Sequence, residues 1–219
     1  MDMESNTVSA VNQMINSSEL SFFGDKNAKK RILIVGNSMT RHGPNAEIGW
    51  NRDWGMAAST PENDFVHRLY AKLKEDGQEV FVRVRQCAYW EMNFLTEENI
   101  LSRYDEERAF DADILVFRLG ENVPKANHIY FKDAMRKFVA HICPTGKAVY
   151  TTCFWKREII DNAIMEVAKE RGEICVDGCF SVKEENMALG QFEHSGVATH
   201  PSDLGMEAIA DAFFQLLKK

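Results

Sequence analysis

The sequence has few features of metal-binding, secreted or membrane-spanning proteins. Its five cysteines form no C-x-x-C pair, which disfavours a zinc site or a thioredoxin-like redox motif. An odd number of thiols is typical of free cysteines in a reducing compartment. No run approaches the roughly 18 apolar residues of a membrane span, and residues 1–30 contain no stretch like a signal peptide. We therefore expect a cytoplasmic protein.

Basic residues are also scarce relative to acidic ones. The chain has 26 Lys and Arg against 33 Asp and Glu, for a net charge of −7. Nucleic acids and anionic membranes need a basic surface to neutralise phosphate, so we expect neither as a partner. The loop at residues 36–40 fits neither of the glycine-rich patterns that bind nucleotide phosphates. A G-x-S-x-G elbow is missing too, which argues against an ordinary α/β-hydrolase.

What is present is an alternation of strand-like and helix-like segments from Arg31 onward. Short apolar runs predict buried strands at 32–35, 80–84, 114–117, 148–152 and 174–176. Helical spacing of apolar residues predicts helices at 61–74, 130–142, 159–168 and 206–217. Strands joined by helical crossovers form a parallel sheet covered on both faces. The sequence thus predicts α/β class: a flavodoxin-like three-layer α/β/α sandwich with about five strands, in one domain at 31–219.

Residues 1–30 are predicted to form an N-terminal arm outside this domain. They show weak helical spacing at Val8, Val11 and Ile15, followed by Phe22 and Phe23. Such an arm packs either on its own domain or on a partner subunit, and the sequence does not distinguish the two.

Ligand sites of open parallel sheets lie beyond the carboxyl ends of the strands. The residues directly after the predicted strands are Gly36-Asn37-Ser38, Gln86-Cys87-Ala88, Gly120-Glu121-Asn122, Cys153-Phe154-Trp155 and Asp177-Gly178. A serine there can act as a nucleophile when a base lies beside it. His200, before the last predicted helix, supplies an imidazole of suitable pKa. Ordinary alternatives are a turn serine, a surface histidine and an Asx-turn asparagine.

The segments that carry these residues resemble the conserved blocks of the SGNH (GDSL-like) hydrolases. Gly36-Asn37-Ser38-Met39 resembles their G-D-S-L block, and Gly120-Glu121-Asn122 resembles G-x-N-D. The segment from His200-Pro201 to Gly205 resembles their late H-P-x-x-x-G block. The blocks follow one another in the family's order, and together they cover the chain from about Arg31 to its end.

The resemblance implies an ester hydrolase in which Ser38 is the nucleophile and His200 the base. The oxyanion hole would consist of the Ser38 N–H, the Asn122 side chain and the N–H of Ala88 or a neighbour. This mechanism requires no metal and no organic cofactor. The substrate would be a small-molecule or carbohydrate ester, with a short acyl group such as O-acetyl.

Three departures from the family pattern affect the expected mechanism. Asn37 stands where the family has Asp, and the loop from Gln86 to Glu91 lacks the glycine that donates to the oxyanion. Val197 stands where the family's acid precedes the histidine as D-x-x-H. Either a backbone carbonyl or another carboxylate must then orient His200, and the candidate acids are Glu193, Asp203 and Glu121.

The segment 41–61 is long for a connection between a strand and a helix. It forms either a substrate wall or a simple cover over the end of the sheet. The predicted pocket residues are Arg41, His42, Trp54, Gly55, Trp90 and Arg118, and Trp155 follows a strand nearby. Aromatic walls with a few polar groups suit a sugar or an aryl ester.

Two other functions use the same residues. An acyltransferase would use the Ser38–His200 pair with a hydroxyl acceptor in place of water. A binding module on a decayed SGNH scaffold would bind its ligand without turnover, as Val197 and the missing glycine suggest.

Overall fold

The computed structural model describes residues 20–219, and a six-stranded sheet lies at its centre. The strands are β1 Leu20–Gly24, β2 Lys30–Gly36, β3 Val80–Gln86, β4 Ile114–Arg118, β5 Lys147–Thr151 and β6 Ile174–Val176. Their order is β1-β3-β2-β4-β5-β6; β1 runs antiparallel to β3, and the other pairs are parallel. The predicted parallel sheet is confirmed, with one antiparallel edge strand added.

Helices connect the parallel strands. In the described part of the chain, the α-helices are α1 Phe65–Glu75, α2 Ala88–Asn93, α3 Asp105–Ala109, α4 His128–Ile142, α5 Glu158–Glu170, α6 Ser195–Ala198 and α7 Asp203–Leu217. The four predicted helices correspond to α1, α4, α5 and α7. No helix within residues 20–219 has both the length and the apolar character needed to cross a bilayer.

Both faces of the sheet are covered, which explains the uninterrupted apolar run of β2. Successive side chains of a strand point to opposite faces. Ile32 and Ile34 pack in one cluster with residues of α1 and α7. Leu33 and Val35 pack in the other cluster with residues of α4 and α5. All four side chains are at most 1% exposed, so the predicted three-layer α/β/α sandwich is confirmed.

The added edge strand β1 belongs to the segment that the sequence assigned to an N-terminal arm. Phe22 of β1 is 48% exposed and stacks on Phe81, while Phe23 packs edge-on against His67 at 4.7 Å between ring centroids. A half-exposed strand at a sheet edge gives only a weak apolar signal, and the sequence did not reveal it. The helical spacing at residues 8–15 lies outside the described residues.

The strand order places a binding crevice at one defined point of the sheet. The parallel strands run in the order β3-β2-β4-β5-β6, which is the flavodoxin-like order with its reversal at β2. Ligands of such sheets bind beyond the carboxyl ends of the two strands at that reversal, here β2 and β4. Ser38 follows β2 by two residues, and Asn122 follows β4 by four.

Candidate active site

Ser38 and His200 meet in this crevice although 162 residues separate them in the chain. Ser38 Oγ lies 2.8 Å from His200 Nε2. Ser38 is 6% exposed and His200 2% exposed, so water screens this hydrogen bond little. The structure therefore brings the expected nucleophile and base into direct contact.

A tight turn after β2 presents the Ser38 hydroxyl. The Asn37 carbonyl accepts from Thr40 N at 2.9 Å, and the Asn37 side chain accepts from Met39 N at 3.3 Å. A Cβ at Gly36 would lie 1.7 Å from Thr40 Oγ1, so only glycine allows the turn to close here. The Ser38 carbonyl accepts from Met56 N at 2.9 Å, which joins the long 41–61 segment to the nucleophile.

A backbone carbonyl orients His200. Its Nδ1 lies 2.6 Å from the Gly196 carbonyl oxygen. A carbonyl only accepts, so Nδ1 carries the proton and Nε2 of the neutral ring is the acceptor. Ser38 Oγ–H then donates to Nε2, which is the arrangement that a general base requires.

None of the three candidate acids takes this position, because Gly196 and Ser38 occupy both ring nitrogens of His200. The Asp203 carboxylate accepts from Ser59 N and Ser59 Oγ at 2.8 and 2.5 Å, on the first turn of α7. Glu121 is paired with Arg118, and Glu193 is exposed. Of the two alternatives that the sequence left open, the structure contains the backbone carbonyl.

Burial keeps His200 neutral. Loss of hydration lowers its pKa to about 4, and the nearby His42 and Arg118 act in the same direction. The Gly196 carbonyl and Glu121 oppose this shift without cancelling it. The imidazole is therefore available as a base at neutral pH.

Two of the three expected oxyanion donors have a hydrogen that the contacts within residues 20–219 leave unused. Within residues 20–219, the Ser38 N–H donates to no backbone acceptor. Asn122 Nδ2 donates one hydrogen to Glu91 Oε2 at 2.7 Å, which leaves its second hydrogen for a ligand. Ala88 N–H already donates to Gln86 Oε1 at 3.1 Å, so the structure does not present it as a free donor.

A buried pair of carboxylates lies beneath the nucleophile loop. Glu121 accepts from Arg118 Nη1 at 2.6 Å, from Phe154 N at 2.8 Å and from Asn37 Nδ2 at 2.7 Å. Asn37 Nδ2 also lies 3.5 Å from Glu91 Oε1. The neutral Asn37 amide thus donates to both acids, where an aspartate would add a third negative charge.

The pKa values of the two acids are shifted in opposite directions. Burial, followed by the charge of Glu121, raises the pKa of Glu91 to about 7. Burial alone would also raise the pKa of Glu121. The Arg118 charge and the hydrogen bonds that the Glu121 carboxylate accepts hold that pKa below its usual value. The sequence reasoning missed Glu91; its signal was a carboxylate directly after Trp90 in an apolar stretch beyond a predicted strand.

Gly120 supports the loop that carries Asn122. Its φ of 141° lies in the region that favours glycine. A Cβ there would also lie 2.6 Å from Ile160 and 2.7 Å from Cys153 Sγ. Arg157 at the start of α5 donates to the carbonyls of Glu121 and Val123, so a cation clamps this loop from outside.

Four of the predicted pocket residues lie on the 41–61 segment. Arg41 forms an ion pair with Asp53 at 2.8 Å. His42 is 2% exposed, and its Nδ1 lies 2.6 Å from the Gly43 carbonyl. Trp54 Nε1 donates to the Ala58 carbonyl, and Gly55 N donates to Asp64. The segment is thus held by hydrogen bonds within it and by bonds to Ser38 and Asp64 on either side of it.

Trp90 and Arg118 are buried and do not line a pocket as predicted. Trp90 is 1% exposed and stacks on Phe138 at 4.3 Å, inside the core between the sheet and α4. Arg118 is 1% exposed and forms a buried ion pair with Glu121, so it is not placed to bind an anionic substrate. Trp155 does border the Ser38–His200 pair: its ring lies edge-on to His200 at 5.4 Å between ring centroids.

The side chains offer the chemistry of an activated hydroxyl. Across residues 20–219, no three His, Cys, Asp or Glu side chains are grouped to hold a metal ion. A neutral imidazole bonded to a serine hydroxyl, beside N–H donors, is suited to attack on a carbonyl carbon.

Comparison with known proteins identifies the fold. No family model and no curated protein matches the sequence. The structure is similar to LAE5, described as an alpha/beta hydrolase enzyme from the metagenome of Lake Arreo, Spain. That similarity has a TM-score of 0.57 and 16% identity, and covers 88% of this chain and 95% of LAE5.

Two further solved structures have comparable similarity. A putative GDSL-like lipase from Bacteroides uniformis has a TM-score of 0.54 and 12% identity, over 87% of this chain and 96% of the lipase. Axe2, an acetylxylan esterase from Geobacillus stearothermophilus, has a TM-score of 0.52 and 15% identity, over 86% of this chain and 94% of Axe2. The fold of this chain is therefore that of the SGNH (GDSL-like) hydrolases.

Proposed function

We propose that this chain hydrolyses short acyl esters, with Ser38 as nucleophile and His200 as general base. The observation that carries the proposal is the 2.8 Å contact between Ser38 Oγ and His200 Nε2, in the tautomer that accepts the serine proton. The contact lies at the reversal of strand order, where parallel sheets bind ligands.

The reaction follows the logic of a serine triad with a carbonyl in place of its acid. Ser38 Oγ attacks the ester carbon while His200 Nε2 takes the hydroxyl proton. The Ser38 N–H and the second Asn122 amide hydrogen stabilise the oxyanion. His200 then gives its proton to the leaving alcohol, and an acyl-serine remains. Water, deprotonated by His200, releases the acid and restores Ser38.

A backbone carbonyl can perform most of the functions of the missing triad acid, which are to fix the tautomer of the histidine and to stabilise the imidazolium. Replacing the acid of a serine triad by its amide costs about 10⁴-fold in rate because the histidine then adopts the wrong tautomer. The Gly196 carbonyl enforces the right tautomer, and it supports the imidazolium with a partial charge in place of a full one. The proposed mechanism therefore works without a carboxylate on His200.

The proposed substrate carries a short acyl group, such as an O-acetyl ester of a carbohydrate or of a small metabolite. Two observations are consistent with a short acyl group: Ser38 is only 6% exposed, and the Trp155 ring packs edge-on against its base. The similarity to Axe2, named an acetylxylan esterase, supports the carbohydrate substrate.

Hydrolysis of p-nitrophenyl acetate by wild type, Ser38→Ala and Ser102→Ala tests the proposal. Ser102 is an exposed serine between α2 and α3, so its variant is the matched control. We expect Ser38→Ala to lose about 10³-fold or more in kcat/KM, and to lose labelling by a fluorophosphonate probe. Ser102→Ala should retain both.

The same experiment distinguishes the alternatives. A folded wild type that neither turns over the ester nor reacts with the fluorophosphonate would refute the esterase and favour a binding module. Labelling at Ser38 with turnover that rises on adding a sugar acceptor, and yields the acylated sugar, would favour the acyltransferase.

A further inference from the structure

Glu91 makes a set of contacts that the proposed reaction does not use. It lies in α2 and is 0% exposed. Its Oε1 accepts from Gly120 N at 2.5 Å and from Asn122 N at 3.3 Å, and its Oε2 accepts from Asn122 Nδ2 at 2.7 Å. One carboxylate therefore holds both the backbone and the side chain of the asparagine expected in the oxyanion hole.

Every one of these contacts needs Glu91 to be an acceptor. An ionised carboxylate has two accepting oxygens and no donor. A glutamine in its place would turn an NH₂ group toward a donor, either the Gly120 N–H or Asn122 Nδ2. The arrangement is thus specific for the carboxylate, and it fixes the direction of the Asn122 amide plane.

An ionised carboxylate at position 91 is unfavourable for the stability of the folded protein. Glu91 is buried beside Glu121, and the Arg118 charge is already bonded to Glu121. A buried charge without its own cation is unfavourable. A neutral side chain would avoid this cost but would lose at least one of the contacts to Gly120 and Asn122, so the charge points to a need for the direction of the Asn122 amide.

We propose that Glu91 is a positioning residue of the oxyanion hole, whose ionised carboxylate aims the Asn122 amide at the reacting carbonyl. This inference rests on the proposed esterase function. It adds a fourth side chain to Ser38, His200 and Asn122, acting through Asn122 without contact with the substrate.

The proposal makes activity depend on the ionisation of Glu91. Among the described residues, the charge that acts on Glu91 is that of Glu121 after β4, which is itself paired with Arg118 at the end of β4. The nucleophile loop contributes the neutral Asn37 amide. Burial and Glu121 raise the pKa of Glu91 to about 7. Protonation below that pH removes an acceptor from Asn122 Nδ2 or Gly120 N. The rate should therefore fall as the pH falls through about 7, although His200 stays neutral to about pH 4.

The first test compares wild type, Glu91→Gln and Glu98→Gln on p-nitrophenyl acetate from about pH 4.5 to 9. Loss of an oxyanion donor costs about 10²–10³-fold; for a misdirected donor we expect about 10–100-fold in kcat at about pH 8, with KM changed less than about 3-fold. The fall in rate as the pH drops through about 7, which we call the acid limb of the pH–rate profile, should disappear in Glu91→Gln. In that variant His200, with a pKa of about 4, is the next group to titrate. Glu98 is exposed, so Glu98→Gln should match wild type.

A double-mutant cycle tests whether Glu91 acts through Asn122. Contacting residues that share one function have non-additive effects. We expect Glu91→Gln to cost about 10–100-fold in wild type and less than about 3-fold in the Asn122→Ala background. Equal costs in the two backgrounds would overturn the proposal.

Asn37→Asp supplies a second test if Glu91→Gln fails to fold. It changes the volume of residue 37 little and places a third carboxylate beside Glu91 and Glu121. The added charge should move the acid limb to higher pH, and a limb that stays in place or moves lower would overturn the proposal.

Fluorophosphonate labelling of wild-type Ser38 separates the two proposals. An unlabelled, inactive wild type means that the esterase function itself has failed. A labelled, active wild type whose Glu91→Gln variant keeps its kcat and its acid limb means that only the role of Glu91 has failed.

Discussion

Val197 occupies the position from which the family's acid would contact the histidine. It lies in α6 and is 0% exposed, in an apolar cluster with Trp50 and Met56. The α6 turn brings the Gly196 carbonyl to His200 Nδ1 instead. The chain thus uses the Val197 side chain for packing and the carbonyl of the preceding residue, Gly196, for the contact with His200.

Restoring an acid at this position should therefore damage the protein without improving it. We expect Val197→Asp to lower the free energy of unfolding by about 3 kcal/mol or more, because it buries a carboxylate without a partner. Its kcat on p-nitrophenyl acetate should not rise, since Gly196 already occupies Nδ1. Urea unfolding and steady-state kinetics measure the two effects.

Val197→Thr is the matched control because it keeps the shape of the side chain and adds no charge. It should lose much less stability than Val197→Asp. If Val197→Asp instead had a higher kcat and an unchanged unfolding midpoint, the family's acid position would be functional in this chain.

The contact between the candidate catalytic side chains could be predicted from the sequence better than the residues expected to line a pocket. Ser38 and His200 stand in motifs with fixed positions relative to strands and helices, and the structure brings them together. Trp90 and Arg118 also follow strands or end them, but their direction depends on packing against α4 and on Glu121. Residue type and position along the chain do not determine that direction.

The start of α5 controls the loop that follows β4. Arg157 Nη2 donates to the Val123 carbonyl at 2.9 Å and lies 2.7 Å from His128 Nε2, and Nη1 donates to the Glu121 carbonyl. Burial, then the Arg157 charge, lowers the pKa of His128, which keeps the ring able to accept. The guanidinium thus joins α4, α5 and the Asn122 loop.

Removing this clamp should weaken both the loop and catalysis. Hydrogen bonds to charged groups contribute about 1.5–3 kcal/mol each, so we expect Arg157→Gln to lower the free energy of unfolding by about 2 kcal/mol. Displacement of Asn122 should lower kcat by about 10-fold with KM little changed. Chemical denaturation and steady-state kinetics provide both quantities.

Lys156→Gln removes a neighbouring exposed charge and is the control for net charge. It should leave stability and kcat near the wild-type values. If Arg157→Gln lost stability but kept its kcat, the clamp would support the fold without positioning Asn122.

The strands and helices could be predicted from the spacing of apolar residues where these elements are long and buried. The five parallel strands and the four long helices have continuous apolar runs or stripes, which the sequence shows directly. The six-residue helix α2 is too short for a stripe, and β1 is partly exposed at a sheet edge. Glu91, which binds the loop that carries Asn122, lies in α2, so it was missed together with its helix.

At the scale of the whole molecule, two buried groups, His200 and Glu91, have opposite effects on the free energy of unfolding as the pH changes. His200 has a folded pKa of about 4, so between about pH 4 and 6.5 the unfolded chain binds more protons, and stability is lost as pH falls. Glu91 has a raised pKa of about 7, so between about pH 4.5 and 7 the folded chain binds more protons, and stability is gained as pH falls. The sum of these two contributions should vary less with pH than either contribution alone.

Comparison with His200→Asn isolates the histidine contribution, because asparagine does not titrate and all other groups cancel in the difference. The unfolding free energy of wild type minus that of His200→Asn should fall by about 3 kcal/mol from about pH 7 to about pH 4 and then level off. Urea unfolding at several pH values between about 7.5 and 4 measures this difference. A difference that stays constant across the range would mean that His200 binds protons equally in both states, and would contradict the buried, neutral base on which the mechanism depends.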